Sequence, residues 1–174
     1  MPAPDRTSLE EIVAAGRAIV ESGGLDGLTM QAVAERVGVR APSLYKRVRD
    51  RDALLVLVAQ ATVDDLADRL AASDGSLAGV AHVYRGFAHE RPEGFRLMFA
   101  VGGAAESLDQ VSAPILRIAE ALVGTDAALE AARLVTAWAT GFIQMELAGA
   151  FRLGGDLDRA FEYGLERLER GLRA

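Results

Sequence analysis

The chain has 174 residues, which suits one domain or a small domain joined to a medium one. Hydrophobic residues make up 51% and charged residues 25%, so it can bury a core and is not of disordered composition. Lys and Arg number 19 against 25 Asp and Glu, a net charge of −6, so a uniformly basic nucleic-acid coat is excluded and any anion-binding surface must be local. The absence of cysteine excludes disulfides, thiolate zinc sites and cysteine nucleophiles, and fits a reducing cytosol. Apolar runs are too short to span a membrane, and the opening Met1-Pro2-Ala3-Pro4-Asp5-Arg6 lacks the apolar stretch of a signal peptide.

Apolar residues recur at helical spacing almost throughout. Leu9, Ile12, Val13, Gly16, Ile19 and Val20 form one stripe, opened by a Thr7/Ser8 cap and closed by Gly23-Gly24. Thr29 is expected to cap a short helix to about Val37, which Gly38 stops. A second short helix is expected over 40–47. Asp50 caps a long helix to about Ala72, with Leu54, Leu55, Val58, Ala61, Leu66 and Leu70 on its repeat. Further helices are expected at 77–89, 92–100, 107–122, 126–150 and 156–172. They are separated at Asp74-Gly75, Arg91-Pro92, Gly102-Gly103, Gly124 and Gly154-Gly155. No stretch alternates as a strand would, so the expected class is all-α.

Residues 29–51 read TMQAVAERVGVRAPSLYKRVRDR, two short helices about a turn at Gly38. A helix-turn-helix needs such an arrangement. Small Ala34 lets the helices cross closely, and Gly38 takes a positive φ without a Cβ clash. Val33, Val37, Val39, Leu44 and Val48 can then meet the stripe of the first helix. Pro42 sits in an opening turn, where its missing N–H matters least. Between Arg36 and Arg51 stand six cations (Arg36, Arg40, Lys46, Arg47, Arg49, Arg51) and one anion, Asp50, whereas residues 53–174 hold 11 cations and 17 anions. A local basic cluster beside a groove-sized helix is what phosphate-dominated DNA binding requires. A solvated helix face is the bland reading of such a run, and the turn geometry weighs against it.

Thr29, Ala34, Gly38 and Val39, followed by Ala41-Pro42-Ser43-Leu44-Tyr45 and Arg51-Asp52-Ala53-Leu54-Leu55, resemble the tetracycline-repressor (TetR/AcrR) family of bacterial regulators over residues 8–56. The resemblance implies a three-helix helix-turn-helix DNA-binding domain over residues 1–50. A helical effector-binding and dimerising domain would follow over 51–174, about nine helices in all. Val48 departs from the aromatic residue usual there. By the same resemblance Thr29 caps the second helix and holds a phosphate at its N-terminus. Arg40, Ala41, Pro42 and Ser43 would face base edges in the major groove, with Arg40 suited to a bidentate guanine contact. Tyr45, Lys46 and Arg51 would reach backbone phosphates. The alternative for Tyr45 is a rim residue of the small core, and both roles can hold.

Trp138-Ala139-Thr140-Gly141-Phe142, with Glu146, Gly149 and Phe151, resembles a C-terminal domain type of that family with a Trp-His-Gly signature, with Thr140 where the histidine would be. The last two helices carry broad apolar faces. One holds Leu134, Val135, Trp138, Phe142, Ile143 and Met145, and the other Leu157, Phe161, Leu165, Leu168 and Leu172. In the family such a pair meets its twofold mate, so a homodimer is expected, with intrachain core as the alternative. Phe87, Phe95, Met98, Phe99, Trp138, Phe142 and Met145 are candidates to line a cavity for a small, mostly apolar effector; core filling is the alternative for each.

His82 and His89 lie seven residues apart on one helix, about 10 Å along its axis, too far to share a metal. No phosphate loop, dinucleotide fingerprint or nucleophile–base pair appears. Glu10-Glu11 and Asp64-Asp65 read as surface groups. No catalytic residue, metal or cofactor is therefore expected. The expectation is a cytoplasmic, ligand-responsive regulator, most simply a repressor, acting on a palindromic DNA operator. A helical small-molecule carrier without DNA binding and a helical enzyme are the alternatives.

Overall fold

A computed structural model describes residues 7–100 and 105–173, side chains of 105–110 excepted. The described residues form nine α-helices and no strand. They are α1 (Leu9–Gly27), α2 (Met30–Val37), α3 (Ala41–Leu44), α4 (Arg51–Ala71), α5 (Leu77–Glu90), α6 (Pro92–Ala100), α7 (Ala105–Val123), α8 (Ala128–Leu147) and α9 (Leu157–Leu172). A 3-10 turn, Thr125–Ala127, precedes α8. No helix among the described residues is long and apolar enough to cross a membrane. The expected break at Gly102-Gly103 and the first six residues lie outside the described residues.

The helix starts follow from local side-chain chemistry. Ser8 opens α1 with a reciprocal cap: its hydroxyl accepts from the Glu11 N–H, and the Glu11 carboxylate accepts from the Ser8 N–H. Asp50 opens α4 by accepting from the Ala53 N–H at 2.8 Å. That bond, with a second from Arg49, holds the Asp50 carboxyl below the usual aspartate range. Asp156 caps α9 through the N–H groups of Asp158 and Arg159. Near the end of α1, Gly24 (φ 65°) interrupts the helix as its glycine pair predicts, and one further turn follows.

Packing groups the helices into two units. One unit comprises α1 to α3, α4 as far as Asp65, and α6; the other takes α4 from Leu66, α5, α7 from Asp109, α8 and α9. In the first, Ile12, Ile19, Val20, Leu28, Val33, Leu44, Val48, Leu54 and Val58 are buried together with Phe95, Leu97 and Met98 of α6. Each such side chain stabilises the fold by about 1.5–3 kcal/mol. Gly16 is where α1 meets α4: a Cβ there would lie 2.7 Å from a methyl of Val58. The Glu21 carboxylate of α1 accepts from the Gly94 N–H (2.7 Å) and the Glu93 N–H (3.3 Å), capping α6 from about 70 residues away in the chain.

In the second unit, Leu77, Ala81, Ile115, Ala119, Ala128, Ala132, Val135, Phe161 and Leu165 form one buried cluster. The Trp138 indole stacks on Phe161 with centroids 5.1 Å apart, and Phe142 meets Phe161 edge-on at 5.2 Å. Gly164 lies under the indole, where a side chain would collide with it. A second fastening is ionic. Arg85 of α5 forks onto Glu146 of α8 (2.9 and 2.5 Å) and reaches Asp158 of α9 at 2.7 Å. Its guanidinium lies 4.9 Å from the Phe161 ring centroid. Arg85 thereby holds the Glu146 carboxyl below its ordinary range, with His89 adding a 3.0 Å contact.

Candidate nucleic-acid interface

The helix-turn-helix is built by backbone bonds around Gly38. Gly38 adopts φ 75° and ψ 30°. Its N–H donates to the Glu35 carbonyl, and the Val39 N–H donates to the Ala34 carbonyl at 2.9 Å. This double closure ends α2 and turns the chain at once, and only a residue free to take positive φ fits it well. Ala34 is buried beneath the turn. Leu44 (1% exposed) and Val48 (2% exposed) anchor the segment that follows. They fix which face of α3 looks outward: Arg40, Pro42, Ser43, Tyr45 and Lys46 are all exposed, and Ala41 is half-buried.

The second helix is shorter than expected. Its α-helical part spans Ala41–Leu44 instead of 40–47, and the next residues continue as turns. The N–H groups of Arg47 and Val48 both donate to the Leu44 carbonyl, at 2.8 and 2.9 Å. Tightening after Leu44 brings Val48 into the core without further helix. Arg47 and Arg49 remain on the surface.

Three of the six cations on this surface are uncompensated by the described residues. Arg36, Arg40 and Lys46 are exposed and make no hydrogen bond or ion pair with the described residues. Arg49 pairs with Asp50 at 2.6 Å, which raises the guanidinium pKa further. Thr29 caps α2 by accepting from the Ala32 N–H at 3.0 Å, leaving its O–H free to donate outward. Tyr45 is 54% exposed, its ring open to solvent.

Arg51 has a role that the sequence does not reveal. Its Nε donates to the Leu28 carbonyl and its Nη2 to the Leu25 carbonyl, both at 2.7 Å. These carbonyls lie at the end of α1, where the helix dipole favours a cation. Arg51 therefore clamps the start of α4 to the segment leading into Thr29, with its Nη1 edge remaining 3.9 Å from Asp52.

The seven residues expected around an effector fall into both packing units. Phe95 and Met98 are buried in the first, where Phe99 (48% exposed) meets Phe95 edge-on at 5.4 Å. In the second, Phe87 is buried, Trp138 and Phe142 belong to the ring stack on Phe161, and Met145 is 46% exposed. None of them lines either of two hollows found within the second unit. One of these is polar, about 370 Å³, around Arg85, His82, His89 and Glu146. The other is mostly apolar, about 190 Å³, beside Leu70, Val80 and Pro114. No group of three or more His, Asp or Glu among the described residues is placed to hold a metal.

Of the apolar faces of α8 and α9, Val135, Ile143, Phe161 and Leu165 are intrachain core. Leu134 (50%) and Met145 (46%) remain exposed on α8.

The profile described as "Bacterial regulatory proteins, tetR family" matches residues 12–58, and "Tetracyclin repressor-like, C-terminal domain" matches residues 77–168. An uncharacterized HTH-type transcriptional regulator of Mycobacterium tuberculosis is 32% identical over 95 residues, covering 51% of this chain and 44% of its own length. The match thus spans less than half of that relative. The class A tetracycline repressor from transposon 1721 of Escherichia coli is 26% identical over 86% of this chain and 73% of its own. In fold, the chain resembles a possible TetR family transcriptional regulator from Streptomyces coelicolor A3(2), with TM-score 0.72, 24% identity, and coverage of 94% and 98% of the two chains. With profiles matching its turn-forming segment and over half its length beyond, the chain belongs to the TetR family of bacterial regulatory proteins.

Proposed function

We propose that this chain is a homodimeric, ligand-responsive repressor that binds a palindromic operator in the cytoplasm. One observation carries the reading: Arg36, Arg40 and Lys46 stand exposed and unpaired around a turn whose apolar side is buried. In a chain of net negative charge, three unpaired cations flanking one turn are suited to bind an anion. Arg40, Ala41, Pro42 and Ser43 face base edges; Thr29, Tyr45 and Lys46 hold phosphates, with the Nη1 edge of Arg51 beside them. Family members are generally DNA-binding regulators without enzymatic activity, and we assign no catalytic residue here.

A dimer supplies two such turns. Exposed Leu134 and Met145 on α8 are suited to a twofold contact with α9 of a second copy. Two recognition segments then address half-sites about 34–36 Å apart. An effector weakens binding only by preferring one of two states, with coupling of typically ~1–3 kcal/mol. Because α4 begins at the Arg51 clamp and ends in the second packing unit, it is the element an effector would act through.

Selection of bound duplexes from a random pool, with sedimentation analysis of the complex, tests this reading. The expected result is an inverted repeat with two chains per duplex. Recovery of no preferred sequence at low ionic strength overturns it and leaves a helical carrier as the better description.

A further inference from the structure

We infer that the apolar hollow in the second packing unit is a binding site for a small monocarboxylate with a compact apolar body. The inference deepens the effector reading above, but its chemistry is argued independently of DNA. The hollow lies where the last turn of α4, the start of α5 and the middle of α7 converge, and has a volume of about 190 Å³. Leu70, Val80, Pro114 and Ile118 supply its apolar wall. Their shapes explain why the space stays open. Pro114 sits inside α7, where its ring cannot flex to fill a gap, and the α4–α5 connection on the same lining turns through Gly75 (φ 74°) with no side chain.

The size sets the ligand's body. An apolar protein cavity of about 150 Å³ accepts benzene, so about 190 Å³ accommodates a single ring or a chain of about six to eight carbons. The charge sets its head group. Arg117 lines the hollow, makes no hydrogen bond or ion pair with the described residues, and is the lone charged group among the described residues lining it. An unpaired guanidinium beside an apolar wall, with no carboxylate to neutralise it, prefers an anion and can fork onto a carboxylate. Ser73 is a further polar group there, its O–H donating to the Leu70 carbonyl. With one guanidinium on its lining, the hollow balances one negative charge, hence a monoacid.

Calorimetric titration of the intact chain with benzoate and hexanoate, and with the neutral counterparts benzyl alcohol and hexanol, tests the site without DNA. The acids are expected to bind saturably, about tenfold more tightly than the alcohols. Arg117→Gln should remove that difference and leave the alcohols unchanged. Ala121→Trp, which places an indole in the hollow from an exposed position, should abolish binding of all four. Both positions are exposed, and circular dichroism verifies the fold of each variant. Absence of saturable acid binding at millimolar concentration overturns the inference, as does acid binding that either variant leaves unchanged. A chain that selects an operator but ignores the acids refutes this site alone. A chain that binds the acids but no duplex refutes the regulator reading alone.

Discussion

Replacing Arg51 separates a clamp from a phosphate contact. Its two bonds to the carbonyls of Leu28 and Leu25 are both 2.7 Å and charge-assisted. Bonds of this kind contribute about 1.5–3 kcal/mol each when fully buried. The side chain is 40% exposed, so water replaces part of what alanine removes. The expected loss for Arg51→Ala is therefore about 2 kcal/mol, well short of the full sum for two buried bonds. In a chain of this size that lowers the unfolding midpoint by roughly 4–8 °C. Arg51→Lys keeps the charge, but one ammonium cannot span both carbonyls, so it should lose most of the same stability. DNA binding reads the other half. If Nη1 meets one phosphate per subunit, Arg51→Ala reduces the slope of log K against log salt by about 1.8 for a dimer, while Arg51→Lys preserves it. Thermal unfolding and fluorescence anisotropy over a salt series measure the two effects. Stability of the alanine variant within about 0.5 kcal/mol of the parent would refute the clamp.

Gly38→Ala forces a Cβ into the left-handed region at φ 75° and should cost about 1–2 kcal/mol by chemical denaturation, weakening DNA binding with it; an unchanged midpoint would show that the turn relaxes freely. Arg40→Ala should relax preference at one base position in a duplex-selection experiment, while Tyr45→Phe should weaken all duplexes alike. Tyr84 provides a pH test. Burial pushes its phenol up to about 12 from an ordinary 10.0, opposed by its 2.9 Å bond with Thr140. The folded chain then holds a proton that the unfolded chain releases between those values. Stability from this group is intact below pH 10 and falls as pH rises toward 12, by about 2 kcal/mol. Tyr84→Phe should flatten that alkaline slope, and an identical pH profile in the variant would count against the burial argument.

The features legible in the sequence are those whose causes are local. Ser8, Thr29 and Asp50 each satisfy an N–H three residues ahead, so the cap and the helix it starts occupy one short window. Gly38 is readable for the same reason, its turn closing onto Ala34 and Glu35. The end of α3 is not readable, because the chain tightens after Leu44 where Val48 is buried, and burial depends on the rest of the fold. Long-range fastenings leave no signature either. Arg51 reaches back 23 and 26 residues, Arg85 and Glu146 are 61 apart, and Glu21 caps a helix that begins 71 residues later. For an effector site the sequence offers large apolar side chains; Trp138 and Phe142 pack on Phe161, while the open hollow beside Pro114 and Gly75 depends on how α4, α5 and α7 converge, which no local pattern records.

The central claim is that the exposed, unpaired cations around the Gly38 turn meet DNA, Arg40 at base edges and Arg36 and Lys46 at phosphates. Its most direct test is the salt dependence of duplex binding by the Arg36→Gln, Lys46→Gln double variant, measured by anisotropy on a selected operator. Removing two phosphate partners from each subunit should reduce the dimer's log–log slope by about 3.6 without shifting thermal stability. A slope equal to that of the parent chain would contradict the account.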